Sequence, residues 1–302
     1  MIYVMGHKNP DTDSVISAIA VSEFLRQAGL DAVPVIQGPV NPETQWVLDK
    51  FELDTPEIMT SVAGKEVALV DTSEVSQLPD DINDATIMAI VDHHNLGGIK
   101  TSGTLHITIR PYGSTCTIIA SQFKERDYGI PARLAGAMAC AIMSDTVMFK
   151  SPTSDKRDRR TVEKLSIMAH MNFKKVGMEM LRVKSNVDND TVEELLNRDS
   201  KDFETQNGKK ITIGMLEVID AASVKHRIAE IKSALEKIHE GGTNIIFVIV
   251  DIMKDGAWMI SYTEDDKKVA KMFMGEWKDH MAFVPGIISR KKQVAPILIR
   301  SF

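Results

Sequence analysis

The chain has only two cysteines in 302 residues, Cys116 and Cys140, and neither lies in a C-x-x-C pair. That excludes a disulfide framework and a thiolate zinc site. An excess of positive charge is also missing, because 36 Lys and Arg stand against 42 Asp and Glu for a net charge of −6. A general nucleic-acid binder would carry the opposite balance. Long apolar runs are absent too. The longest nearly continuous one, residues 134–143, falls far short of the ~20 residues needed to cross a bilayer. The opening Met1-Ile2-Tyr3-Val4-Met5 gives way at once to Gly6-His7-Lys8, too short a run for a signal-peptide core. These absences predict a cytoplasmic protein with neither membrane nor nucleic acid as partner.

What the chain does have is length and balance. At 43% hydrophobic and 26% charged residues it has the composition of a folded globular protein, and 302 residues suit two domains. Acidic and basic residues divide evenly about residue 184, so neither half reads as a charged tail. We expect a larger domain over residues 1–184, a short polar hinge linker at 185–189 and a smaller domain over 190–302. In the first, short β-branched runs at 2–5, 32–36, 66–70, 86–91 and 105–109 read as strands. Helical patterns fill 14–27, with Gly29 signalling the end, and 42–51. Further helices are expected at 114–126, 131–149, 155–171 and 176–183. The alternation predicts an α/β fold with a mostly parallel sheet flanked by helices. The second domain offers strands at 210–218, 244–252, 257–261 and 294–299 and a helix at 223–239, a smaller α/β unit.

Three expected strand ends share a property. Segment 2–5 runs into Gly6-His7-Lys8-Asn9-Pro10-Asp11-Thr12-Asp13, segment 66–70 into Asp71, and segment 86–91 into Asp92-His93-His94. Open parallel sheets bind ligands beyond the carboxyl ends of their strands, and here those ends deliver imidazoles and carboxylates. Asp145 follows a small-residue apolar stretch that suggests a helix buried nearby. So dense a carboxylate cluster is tolerable only if cations neutralise it. Oxygen and imidazole donors without thiolate suit Mg²⁺, Mn²⁺ or Co²⁺, with Zn²⁺ also compatible. His7, Asp11, Asp13, Asp71, His93 and Asp145 are more than one ion with an open position would take. Two ions bridged by a carboxylate would use them all and activate a water for attack at phosphorus. The plainer alternative is helix capping, with Asp13 or Ser14 capping the helix that follows. It accounts for single residues, but poorly for H-x-x-x-D-x-D at one strand end and D-H-H at another.

Residues 281–302 hold no acid but carry Arg290, Lys291, Lys292 and Arg300. The run Ser289-Arg290-Lys291-Lys292-Gln293 reads either as a solvated loop or as a clamp for a small polyanion, with bidentate donors from Arg290 and point charges from the lysines. His106, His170, His226, His239 and His280 lie in no ligand spacing. The basic run 156–160, interrupted by Asp158, reads as a solvated helix face.

In order along the chain, Gly6-His7-Lys8-Asn9-Pro10-Asp11-Thr12-Asp13-Ser14, Val70-Asp71, Val91-Asp92-His93-His94, Arg110-Pro111-Tyr112-Gly113-Ser114, Ser144-Asp145 and Ser289-Arg290-Lys291-Lys292-Gln293 resemble the motifs of one family. These are the family II (manganese-dependent) inorganic pyrophosphatases of the DHH phosphoesterase superfamily. The opening motif and D-H-H are specific to the superfamily, and S-R-K-K-Q narrows the resemblance to the pyrophosphatases. It implies hydrolysis of pyrophosphate to two phosphates by a hydroxide bridging two Mn²⁺ ions, in a cleft between domains. Co²⁺ or Mg²⁺ would be substitutes, with Mg²⁺ also accompanying the substrate. One metal would be held by His7, Asp11 and Asp71, and the other by Asp13, Asp71, His93 and Asp145, with Asp71 bridging. Asp92 would orient a ligating imidazole. His94 would contact a phosphate or help protonate the leaving group, and Ser114, Lys201, Arg290 and Lys291 would bind substrate. A homodimer joined through the first domain is implied as well.

Two departures from the family pattern stand out. Thr72-Ser73 replace the usual His-Asn after the bridging Asp, so neither supplies an imidazole beside the ligands. The stretch from Ser114 to Asp145 is also too short for the nucleotide-sensing insert that some members carry. The nearest rivals are other DHH phosphoesterases, such as RecJ-type exonucleases, oligoribonucleases or cyclic-dinucleotide phosphodiesterases. Those carry a late Gly-Gly-Gly-His, to which His239-Glu240-Gly241-Gly242-Thr243 is the closest approach here. A non-catalytic metal-binding regulator is the remaining alternative, supported only by Thr72-Ser73. A P-loop is excluded, since Ala63-Gly64-Lys65 runs into Glu66.

Overall fold

The structure, a computed structural model, describes every residue except Ser102 and Asn189. Asn189 belongs to the expected linker at 185–189, and that position lies outside the described residues. The chain forms two compact units, Met1–Met180 and Leu181–Phe302.

In the first unit the strands β1 (Ile2–Met5), β2 (Ala32–Ile36), β3 (Glu57–Ile58), β4 (Glu66–Val70), β5 (Thr86–Asp92) and β6 (His106–Ile109) form one sheet. Every neighbouring pair is parallel, in the order β3-β2-β1-β4-β5-β6. The two-residue period of a strand sends alternate side chains to opposite layers. Val4, Ala68, Val70 and Val91 join the layer beneath the helices, while Met5, Val67, Leu69 and Ile90 join the other. The helices are α1 (Thr12–Gln27), α2 (Pro42–Lys50), α3 (Thr115–Glu125), α4 (Ala132–Asp145), α5 (Lys156–Met168) and α6 (Phe173–Lys184). Val15, Ile16, Val47, Ile118, Phe123 and Met138 build the core that they cover. The opposite layer is closed by the connection from β4 to β5, whose short 3₁₀ turns bring in Leu78 and Ile82.

Strand order reverses between β1 and β4, the switch point at which an open parallel sheet forms its crevice. The expected buried helix is α4, whose small residues let it lie close against α1 and α5. At Gly136 a Cβ would stand 2.1 Å from the Phe51 ring, so only glycine fits. The expected helix 131–149 stops early, at Asp145. Val147, Met148 and Phe149 take φ of 48°, 54° and 68°, a left-handed run that valine in particular resists, and the chain turns sharply just past Asp145.

The second unit holds α7 (Val192–Asn197), β7 (Ser200–Glu204), β8 (Lys210–Val218), α8 (Ile228–Glu240), β9 (Asn244–Asp251), β10 (Gly256–Tyr262), α9 (Asp266–Phe273), β11 (Met281–Pro285) and α10 (Ala295–Ser301). Its sheet runs β11-β10-β9-β8-β7, with β8 and β9 parallel and the other pairs antiparallel. Leu195, Leu196, Ile231, Leu235, Phe247 and Ile249 fill its core. Segment 294–299, expected as a strand, is helical: a π-turn over Arg290–Val294 leads into α10. Pro296 stands in the first turn of α10, where its missing N–H has no intrahelical partner to lose. A short apolar run carries no period that separates the two outcomes. The helix expected at 223–239 begins as a 3₁₀ segment, Ala221–Arg227, and becomes α-helical at Ile228. Among the described residues no helix is long and apolar enough to cross a membrane.

Candidate metal centre

The centre is built where β1, β4 and β5 end. His7 is buried just past β1, and Asp11 opens α1 by accepting from Ser14 N at 2.9 Å. The helix cap is therefore Asp11 rather than Asp13 or Ser14. The other Asp11 oxygen lies 3.4 Å from His7 Nε2. Asp71 follows β4 in a left-handed conformation (φ 58°) that aspartate adopts more readily than most residues, its N–H on Val91 O at 2.9 Å. His7 Nε2 stands 3.4 Å from one Asp71 oxygen, and His93 Nε2 stands 3.4 Å from the other and 3.4 Å from Asp145. Asp71 is thus common to two donor groups, His7-Asp11-Asp71 and Asp13-Asp71-His93-Asp145, and to a third that overlaps the second, Asp71-His93-His94. In each the ligand atoms all lie within 4.8 Å of one another. All six candidate ligands come together.

The imidazoles test whether a cation fits. His7 Nδ1 meets Lys8 O at 2.7 Å, and His93 Nδ1 meets Tyr112 O at 3.0 Å. A carbonyl only accepts, so Nδ1 carries the proton and, in a neutral ring, Nε2 turns its lone pair toward carboxylate oxygens. That arrangement is repulsive unless positive charge lies between. Donors around an ion at ~2.1 Å sit ~3.0–3.4 Å apart, the spacing seen here. Burial and neighbouring Asp71 push the Asp13 carboxyl up to about 6, against the pull of His93 and Ser114. In the metal-free chain burial opposes ionisation of Asp71 as well, but His7 and His93 as protonated donors, with the charge of His94 and His93, outweigh it and hold that carboxyl well below its usual range.

Asp13, fully buried, faces the start of α3. Ser114 Oγ donates to it at 2.6 Å, Thr115 N at 2.7 Å and Cys116 N at 3.2 Å. Thr115 Oγ1 donates to Asp71 at 3.1 Å. The amides at a helix N-terminus have no intrahelical acceptor and favour negative charge, so they offset part of the cost of burying Asp13. Ser114, expected to bind substrate, is itself fully buried and caps α3 with its hydroxyl on Asp13, so it supports a ligand instead. Thr115, the Cys116 amide and the Tyr112 carbonyl escaped sequence reading. Gly113-Ser114 as a loop ending in a helix cap was the signal that pointed there.

Asp92 also departs from expectation. Its Oδ1 accepts from both the backbone N and Nδ1 of His94, each at 2.9 Å, so it orients His94 and leaves His93 to Tyr112. Both rings stand beside Asp71, with their centroids 4.3 Å apart and His94 Nδ1 3.7 Å from Asp71 Oδ1, but only the His94 ring meets Asp92. Burial opposes the ionised form of Asp92, but the His94 contacts hold its carboxyl below the usual range. Ser73 Oγ lies 3.2 Å from Asp92 Oδ2, while Thr72 Oγ1 accepts from Glu74 N at 3.2 Å. In place of the family's His-Asn, one hydroxyl thus steadies the carboxylate behind His94 and the other steadies the turn.

In the second unit, Lys201 lies half-buried on β7, and Lys291 lies half-buried in the π-turn. Arg290 is buried. Its guanidinium donates to Asp199 O at 2.9 Å, to Ile213 O at 3.3 Å and to the Asp199 carboxylate at 2.6 Å. Asp199, unremarked in the sequence, fixes the fork of that arginine.

Comparison with known proteins defines the class first. The DHH family N-terminal domain is matched by residues 1–142 and the DHHA2 domain by residues 178–301. The manganese-dependent inorganic pyrophosphatase of Methanocaldococcus jannaschii is 41% identical over 313 residues, covering 100% of this chain and 99% of that protein. That of Methanothrix thermoacetophila is 39% identical over 308 residues, covering 100% and 98%. The crystal structure of a Methanococcus jannaschii protein assigned to the family II inorganic pyrophosphatases superposes with a TM-score of 0.89 at 40% identity, covering 100% of this chain and 99% of that one. The chain belongs to the family II, manganese-dependent inorganic pyrophosphatases.

Proposed function

We propose that the chain hydrolyses inorganic pyrophosphate to two phosphates at this centre, with cationic residues of the second unit as its substrate contacts. The observation that carries the reading is Asp71, common to two donor groups and 3.4 Å from an imidazole of each. His7, Asp11 and Asp71 would hold one divalent ion and Asp13, Asp71, His93 and Asp145 the other. Mn²⁺ is the ion in the relatives' names, and Co²⁺ and Mg²⁺ suit the same donors. Bound there, such ions supply a water acidic enough to ionise near neutral pH and neutralise charge on phosphate.

The protein's own groups do the rest. Asp71 fixes the spacing of the two donor groups, and the start of α3 holds Asp13 in place through three hydrogen bonds. Asp92 holds His94 by Nδ1, and Nε2 of the same ring would contact phosphate or pass a proton to the leaving group. Lys201, Arg290 and Lys291 stabilise the charge that develops on the departing phosphate. Arg290 does so from a fork that Asp199 has already oriented. The homodimer through the first unit and the cytoplasmic setting expected from the sequence belong to the same proposal.

The test is phosphate release by metal-stripped protein given Mn²⁺, Co²⁺, Mg²⁺ or Zn²⁺ in turn, on pyrophosphate, tripolyphosphate and a dinucleotide. We expect pyrophosphate to turn over fastest, with Mn²⁺ or Co²⁺. A preference for the dinucleotide, or metal uptake with no turnover of any substrate, overturns the reading.

A further inference from the structure

We propose that Asp158 is a positioning residue of the metal centre: from α5 it fixes the start of α3, and through it the donors that hold Asp13. The inference rests on the two-group metal reading above. Asp158 lies in what reads in sequence as a solvated basic run, yet it is fully buried between exposed neighbours. Its carboxylate accepts from Gly113 N at 3.0 Å, from Thr117 Oγ1 at 2.7 Å and from Asp155 N at 2.6 Å. Gly113 immediately precedes Ser114, and Thr117 follows Cys116. Asp158 therefore grips the first turn of α3 on both sides of the three groups that donate to Asp13.

Two further observations separate this from ordinary helix capping. A capping residue has no need of full burial, which works against the charge of Asp158 and raises its carboxyl despite the bonds it accepts. The approach to Gly113 is also as close as a glycine permits. A Cβ there would stand 2.6 Å from Asp158 Oδ2 and 2.5 Å from the methyl of Thr146, the residue after Asp145. One junction thus backs Asp13 and abuts the segment that presents Asp145, two members of the same donor group.

Loosening that grip lets the start of α3 drift and lengthens the bonds that orient Asp13. Removing a partner that touches a ligand directly weakens metal binding about 10–100-fold. Asp158 acts one bond further out, so we expect about tenfold.

The experiment is Mn²⁺ titration calorimetry on the metal-stripped full chain, with kcat and KM for pyrophosphate beside it. Asp158→Asn keeps the volume but turns an amide toward N–H donors. It should bind one of the two Mn²⁺ ions about tenfold more weakly and lower kcat, with KM within twofold and an unchanged circular dichroism spectrum. Asp155→Ala cuts the same capping box from its other side, where Asp155 accepts from Arg157 N, and should bind Mn²⁺ as wild type does. Thr117→Val removes one arm of the grip at constant shape and should weaken the same ion about threefold, which serves if Asp158→Asn fails to fold. Unchanged Mn²⁺ affinity in Asp158→Asn or Thr117→Val, or equal weakening by Asp155→Ala, overturns the proposal. Failure of the pyrophosphatase reading shows separately, as a wild-type protein without turnover whose Mn²⁺ isotherms still report on Asp158.

Discussion

Asp71→Asn separates folding from function. Asparagine is the right replacement because residue 71 sits at φ 58°, where most side chains incur ~1–2 kcal/mol and asparagine is tolerated. Its carbonyl can still accept from Thr115 Oγ1, so the end of β4 keeps its form. What disappears is a carboxylate that stands 3.4 Å from both His7 and His93. Both donor groups lose their common ligand at once. Taking the loss as ~4 kcal/mol of transition-state stabilisation, at 1.36 kcal/mol per decade, turnover falls ~10³-fold. A second readout is thermal. An ion at a hundred times its Kd stabilises by ~2.7 kcal/mol, so two sites give ~5 kcal/mol and raise Tm by ~10–20 °C in a unit of this size. In Asp71→Asn that Mn²⁺-dependent rise should shrink below ~3 °C. Phosphate release and calorimetric midpoints, with Mn²⁺ or with a chelator, measure both. Turnover within tenfold of wild type, or a midpoint shift kept in full, would refute the shared-ligand reasoning.

Three other outcomes follow. Asp13 is an acid raised from 3.8 to about 6, so the metal-free folded chain keeps a proton that the unfolded chain has released, and this group's contribution to stability declines as pH climbs across that interval. Mn²⁺ needs the ionised form and should bind progressively more weakly as pH falls through 6; a pH-independent affinity between pH 5 and 7.5 contradicts this. Arg290→Lys loses the fork that Asp199 orients, so KM for pyrophosphate should rise about tenfold with kcat less affected, and steady-state kinetics with an unchanged KM would remove Arg290 from the substrate site. Gly136→Ala drives a methyl into the Phe51 ring and should cost ~1–3 kcal/mol in denaturant unfolding while leaving Mn²⁺ affinity alone.

Much of the first unit was legible because strand alternation and small-residue packing are local signals. The segment 66–70 announces both its layers in five residues, and the ligands stand at strand ends, where the topology of a parallel sheet must gather them. What escaped depends on partners remote in sequence. Nothing near Asp158 separates it from Arg157 and Arg159, which are exposed while it is buried. That Asp92 meets His94 rather than His93 depends on how two adjacent rings pack beside Asp71, which sequence does not carry. Asp199 orients Arg290 from some ninety positions away. The apolar run at 294–299 suits a strand or a short buried helix equally well, and only the tertiary setting decided between them.

A sheet in which every strand is parallel has one more consequence. Residues 7, 71, 93 and 145 are strangers in the unfolded chain, and they become neighbours only after long crossovers have closed, a late event in folding. Ions cannot template such a protein as zinc templates a finger. The sheet must stand before anything is loaded, and the identity of its cargo will reflect which cation the surroundings supply at the moment of completion.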